Sequence, residues 1–160
     1  MSDPGDAPES THTVTAGHAS IARWHLRLGW WLLLGFMGLG MLLEAMHGLK
    51  IGWYLDVSNE TRRLVWTLAH AHGALIGVLH IGFAVTLPYL PDWPARSRDL
   101  ASKLLTAGGI LMPGGFFLGG FGIYDGDPGL GVFFSPIGGF MLLASILITA
   151  MGVQRYSSAD

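Results

Sequence analysis

Short polar segments alternate with long apolar ones along the chain. Four stretches are almost free of charged side chains, and each is close to the roughly 20 apolar residues that a helix needs to cross a bilayer core. The pattern predicts four transmembrane helices, at residues 28–49, 64–87, 104–124 and 130–152. In water, helices that are apolar on every face would have to be buried, and a chain of 160 residues has too few others to bury four of them. The predicted surrounding is therefore a lipid bilayer.

The segment before the first predicted span has a different character. Residues 1–20 include acidic residues, prolines and glycines and few large apolar side chains, a composition typical of disordered segments. We expect residues 1–20 to form a disordered polar tail and residues 21–156 to form one transmembrane domain. The predicted fold class is all-α, an integral membrane four-helix bundle with a disordered N-terminal tail.

Composition excludes several classes of function. The net charge is −2 and only 12% of residues are charged, so the chain lacks the basic face that nucleic-acid binding requires. The absence of cysteine excludes disulfides, iron–sulfur clusters and thiolate-bound metals. The sequence also contains no independent catalytic motif such as a phosphate-binding loop.

Lysine and arginine are divided unequally between the two sides that the spans define. The side opposite the N-terminus carries Lys50, Arg62 and Arg63. The side of the N-terminus carries Arg23, Arg27, Arg96, Arg98, Lys103 and Arg155. Because the side richer in Lys and Arg stays in the cytoplasm, we predict cytoplasmic N- and C-termini, in a membrane such as a bacterial inner (plasma) membrane.

Glycine is abundant, with 24 residues, and several glycines recur at helical spacing. They are Gly35, Gly38 and Gly40 on the first span, Gly73 and Gly77 on the second, and Gly115 and Gly119 on the third. Small residues let helix backbones approach closely in lipid. These faces predict packing inside the bundle, or contact with other membrane subunits or with a second copy in a homo-oligomer.

Ionisable side chains inside a membrane span are costly and mark candidate functional sites. With a rise of about 1.5 Å per residue, Glu44, His70 and His72 fall in one layer, and His47 lies slightly nearer the surface. Glu44 and His47 are three residues apart and share a helix face. His70 and His72 are two residues apart, about 160° around the helix by the same geometry, so they point to opposite faces.

Three further residues are secondary candidates. Asp125 and Asp127 lie in the loop between the third and fourth spans, where their carboxylates could cap the layer. His80 lies about 15 Å from His70 along the second span, nearer the side of the N-terminus.

Two cofactors suit the layer. A haem b needs imidazoles at similar depth on different helices, which His47 with His70 or His72 would supply. A transition-metal ion could instead be bound by Glu44, His47, His70 and His72. The alternative to both is that these side chains hydrogen-bond to one another across helices or line a wet cavity.

One short segment resembles a known family. Residues Trp66 to Gly77, WTLAHAHGALIG, resemble the His-x-His helix of haem–copper oxidase catalytic subunits. In that family the two histidines serve two haems, one on each helix face, so the resemblance implies that His70 and His72 are haem ligands. The rest of the chain departs from the family, since it has fewer spans and lacks an adjacent His-His pair for a copper ion.

Three functions remain open from the sequence. The first is a haem- or metal-binding redox or electron-transfer subunit. The second is a non-enzymatic accessory or assembly subunit of a larger membrane complex, in which the histidines are structural. The third is a transporter or proton path that uses Glu44 and the histidines.

Overall fold

Four long helices make up the fold. The computed structural model describes residues 9–56 and 60–156, with side chains from residue 18 onward. The helices are α1 (Glu9–Gly48), α2 (Thr61–Thr86), α3 (Ala95–Gly119) and α4 (Phe134–Tyr156). Short 3₁₀ helices at Leu87–Tyr89 and Leu130–Phe133 follow α2 and precede α4. The predicted all-α four-helix bundle is confirmed.

Each helix is long and apolar enough to cross a membrane, which supports the predicted integral membrane protein. The outer surface of the bundle carries large apolar side chains such as Met41, Leu75, Ile110 and Phe140, all at least half exposed. Soluble proteins rarely expose an apolar surface of this extent. Lipid tails are the surrounding that this surface fits.

The helices form an antiparallel up-and-down bundle, with α1 against α2, α2 against α3 and α3 against α4. We use the term terminal end for the end of the bundle at which α1 and α3 begin and α2 and α4 end. The loop end is the opposite one, with the 49–60 and 120–129 connections. Glu9 and Tyr156, the first and last described residues, therefore both lie at the terminal end.

The first helix begins before the predicted first span. Residues 1–8 of the predicted tail lie outside the described residues, and α1 is already helical from Glu9. Ile21 and Ala22 explain why the helix continues at this end, because both pack against a buried cluster that includes Phe83 and Trp93. Tertiary burial of this kind stabilises a helix beyond its most apolar stretch.

Glycines bring the first two helices into backbone contact. A side chain on Gly77 would stand 2.9 Å from the carbonyl oxygen of Gly29 and 2.9 Å from the backbone nitrogen of Leu33. The ring of Phe36 likewise occupies the position that a side chain on Gly73 would need. We call the contact of Gly29, Leu33 and Gly77 the glycine seam. The predicted internal packing of the Gly73 and Gly77 face of α2 is confirmed.

Candidate functional site

A cavity between α1 and α2 contains three of the predicted site residues. Its volume is about 720 Å³, and it lies toward the loop end. Glu44 and His47 line it from α1, and His70 lines it from α2. Glu44 and His47 are exposed and His70 is half-buried, so the cavity is open on one side. Cofactor and ligand pockets typically have volumes of about 300–1,000 Å³, so this one is large enough for an organic group.

Arg63 and the buried Tyr54 also line this cavity. The Arg63 guanidinium donates a hydrogen bond to the exposed Glu60 carboxylate at 2.8 Å. Since Arg63 is seven residues from His70, it lies about 10 Å closer to the loop end. The cavity therefore has an ion-paired guanidinium toward the loop end and an imidazole farther from it.

His70 is held in a defined tautomer. Its Nδ1 lies 2.6 Å from the carbonyl oxygen of Phe36 on α1. A carbonyl oxygen only accepts hydrogen bonds, so Nδ1 carries the hydrogen, and Nε2 of the neutral ring keeps its lone pair. Metal-binding histidines commonly have their second ring nitrogen fixed by such a carbonyl. Nε2 is therefore the ring nitrogen of His70 that could hold a metal or haem iron.

His72 points to a different face, as the spacing predicts. Its Nδ1 lies 2.8 Å from the carbonyl oxygen of Leu68, which again leaves the lone pair on Nε2. Its ring packs 5.2 Å from that of Phe116. It lines a separate, largely apolar groove of about 420 Å³ together with Met112 of α3.

The four predicted ligands therefore divide into two groups. Glu44, His47 and His70 share the α1–α2 cavity, whereas His72 faces α3 and α4. Within the described part of the chain, no three His, Asp or Glu side chains are close enough together to hold a metal ion.

Asp125 and Asp127 lie in a tight turn at the loop end. Tyr124 and Asp127 pair through two backbone hydrogen bonds, and Asp125 and Gly126 both have positive φ, as in a two-residue type I′ turn. The Thr61 hydroxyl at the start of α2 donates to the Gly126 carbonyl at 2.5 Å. Both carboxylates are exposed, and neither lines the α1–α2 cavity.

A second polar group lies at the terminal end, around His80. His80 is completely buried, and its Nδ1 lies 2.6 Å from Nδ1 of His25, which is also completely buried. The two rings stack with their centroids 4.8 Å apart. His25 Nε2 in turn lies 2.8 Å from the hydroxyl oxygen of Ser102 on α3. Three helices thus contribute one side chain each to a continuous hydrogen-bonded chain.

Comparison of this chain with protein-family models, curated proteins and solved structures finds no match.

Sequence reasoning missed His25 and Ser102 as parts of a site. The first predicted span begins at Leu28, which places His25 at the membrane entrance, whereas the helix and the packed bundle extend past it. Hydropathy gave no signal for the pair, because His25 lies before the predicted first span whereas His80 lies well inside the second.

Proposed function

We propose that the protein is a small membrane redox subunit that binds haem b in the cavity between α1 and α2. The observation that carries the proposal is the geometry of His70. Its Nδ1 is occupied by the Phe36 carbonyl, which leaves the lone pair on Nε2, and the residue lines a cavity of about 720 Å³. Imidazole is a common axial ligand of haem iron. His70 is the first proposed ligand.

The other residues of the cavity suit the same cofactor. His47 lies on the neighbouring helix and lines the same cavity, so it is the proposed second axial ligand. Arg63, which lines the cavity and now pairs with the exposed Glu60, would pair with a propionate carboxylate of the bound haem, since guanidinium groups pair well with carboxylates. Glu44 lines the cavity beside His47 and would tune the bound group as a hydrogen-bond partner.

A transition-metal ion is the alternative occupant of the same cavity. Glu44, His47 and His70 offer one carboxylate and two imidazoles, which suit iron, copper or zinc in chemistry, but the three groups would have to move closer together to hold an ion. The cavity volume favours the larger organic group. Elemental analysis combined with a visible spectrum distinguishes haem from a bare ion.

The test is purification from haem-sufficient, metal-replete cells, followed by visible spectroscopy. Wild-type protein should show a Soret band, and His70→Ala should lose it. His72→Ala is the matched control, because it removes an imidazole from the same helix but outside the cavity. This variant should keep the Soret band of haem bound in the cavity. A colourless, metal-free wild type, or a His70→Ala variant with an unchanged spectrum, would contradict the proposal.

A second candidate function is that of an accessory subunit that docks through α1. In the most apolar 18-residue segment of α1, only 11% of the segment is buried inside the protein. The corresponding share in the other three helices is 22–39%. Gly35 and Gly38 lie on its open face, with no neighbouring atom within 4 Å of an added Cβ. Such small-residue faces suit close contact with a partner helix.

Cysteine cross-linking tests this second role, because the chain has no cysteine of its own. Gly35→Cys should form a disulfide-linked dimer, or capture a membrane partner, under mild oxidation. Gly82→Cys is the matched control, since Gly82 is also open but lies on α2. Equal cross-linking at both positions would indicate random collision and count against the docking face.

A further inference from the structure

The hydrogen-bonded chain of Ser102, His25 and His80 is separate from the proposed haem cavity. Two neutral arrangements satisfy it. In the first, His25 Nδ1 donates to His80 Nδ1, and His25 Nε2 accepts from the Ser102 hydroxyl. In the second, His80 Nδ1 donates to His25 Nδ1, and His25 Nε2 donates to the Ser102 oxygen. His25 has one ring nitrogen toward each neighbour, which is the arrangement that lets a ring accept a proton on one side and release one on the other.

The Ser102 end of the chain lies close to water. Ser102 is half-buried, and the carboxylate of Asp99, three residues earlier on the same face of α3, is 48% exposed. The buried Arg98 guanidinium donates to Asp99 at 3.1 Å. His18 of α1 is within electrostatic reach of both Arg98 and Asp99, which makes this corner of the terminal end ionisable and polar.

The other end of the chain is inside the bundle. His80 Nε2 has no hydrogen-bond partner among the described residues and is fully buried. It faces Gly109 of α3, where an added Cβ would stand 2.9 Å from it. Phe83 packs edge-on against His25. In the first arrangement Nε2 carries the ring hydrogen of neutral His80, so the lone pair of His80 is on Nδ1 and faces His25.

We propose that Ser102, His25 and His80 form a proton-uptake path, with His80 as the buried proton-binding site at its inner end. Starting from the first arrangement, a hydronium ion gives a proton to the Ser102 oxygen and leaves as water, while the hydroxyl's own proton passes to His25 Nε2. The Nδ1 proton of His25 then passes to His80 Nδ1. Ser102 and His25 end neutral, His80 ends as an imidazolium, and one proton has been taken up.

Hydrogen–deuterium exchange of the imidazole N–H groups tests this path. Full-length protein labelled with ¹⁵N-histidine would be placed in lipid nanodiscs and transferred to D₂O, and the ring N–H signals of His25 and His80 would be followed by NMR. In the wild type these hydrogens should exchange much faster than the backbone amides of α2 around them. Ser102→Ala should slow ring exchange by about tenfold, equivalent to about 1.36 kcal/mol in the barrier.

Two controls separate the path from a structural hydrogen bond. Ser102→Thr keeps a hydroxyl at the same position and should restore fast exchange. Thr86→Val removes a hydroxyl that only bonds back to Gly82 on α2, and should leave the exchange unchanged. Ring hydrogens that exchange no faster than the α2 amides, or a Ser102→Ala variant that exchanges as fast as the wild type, would overturn the proposal.

Discussion

Gly40 on α1 and the His70 ring on α2 fit together because Gly40 has no side chain. A Cβ at position 40 would stand 2.6 Å from His70 Nδ1 and 2.8 Å from His70 Nε2. The ring therefore lies directly against the α1 backbone, where its Nδ1 reaches the Phe36 carbonyl. Position 40 decides the orientation of the proposed ligand.

We accordingly predict that Gly40→Ala displaces the His70 ring and weakens cofactor binding. Overpacking of this kind also destabilises a protein by about 1–3 kcal/mol. Gly38→Ala is the control, because an added Cβ there meets nothing within 4 Å. The measurement is the Soret absorbance per protein, together with the thermal midpoint in detergent. Equal behaviour of the two variants would show that the contact does not orient His70.

The glycine seam gives a second pair of variants. Gly77→Ala would push a methyl group into the α1 backbone and should destabilise the bundle by about 1–3 kcal/mol. Gly82→Ala, on the same helix but in open space, should be neutral or stabilising by up to about 1 kcal/mol, because alanine favours helix more than glycine does. Equilibrium unfolding in detergent micelles measures both. Similar losses in the two variants would refute the close approach of α1 and α2.

Trp66 connects α2 to α3 near the loop end. Its indole N–H donates to the Phe117 carbonyl at 2.9 Å, and the side chain is 4% exposed. Trp66→Phe should therefore lower the free energy of unfolding by about 0.5–1.5 kcal/mol through the lost hydrogen bond, with a further loss from the smaller ring. Trp24→Phe, at a side chain that is 55% exposed, should change it little. A Trp66→Phe variant as stable as Trp24→Phe would count against this contact.

Membrane orientation is a prediction of its own. Because the four helices alternate in direction, Glu9 and Tyr156 lie at the same end of the bundle, and the Lys and Arg distribution predicts that this end is cytoplasmic. Reporter fusions should be active as cytoplasmic markers after Tyr156 and as external markers in the 49–60 loop. A C-terminal fusion that is active only outside would reverse the orientation.

The number and approximate positions of the helices follow from the sequence because hydropathy over some 20 residues is a strong signal. The opposite directions of His70 and His72 follow equally from helical geometry. The ends of the helices are harder to predict from the sequence. The early start of α1 depends on burial of Ile21 and Ala22 against residues far along the chain.

The pairing of His25 with His80 shows why part of the site could not be predicted. Two histidines at equal depth meet only if both helices are rotated to present them to each other. That rotation is fixed by contacts such as Gly29 with Gly77, which hydropathy does not report. By contrast, Glu44 and His47 share a helix face because of their local spacing alone. Their position in one cavity could therefore be predicted from the sequence.

The position of the glycine seam has an electrical consequence. On α2, Gly77 lies between His70 and His80, and on α1, Gly29 and Leu33 lie between His25 and Gly40. Backbone packed against backbone leaves no room there for water. If each polar region is hydrated from its own side, the membrane potential falls mainly across this thin dry layer rather than across the full bilayer. A charge moved from one region to the other would then do work of about 2.3 kcal/mol per 100 mV over a short distance, in a strongly concentrated electric field.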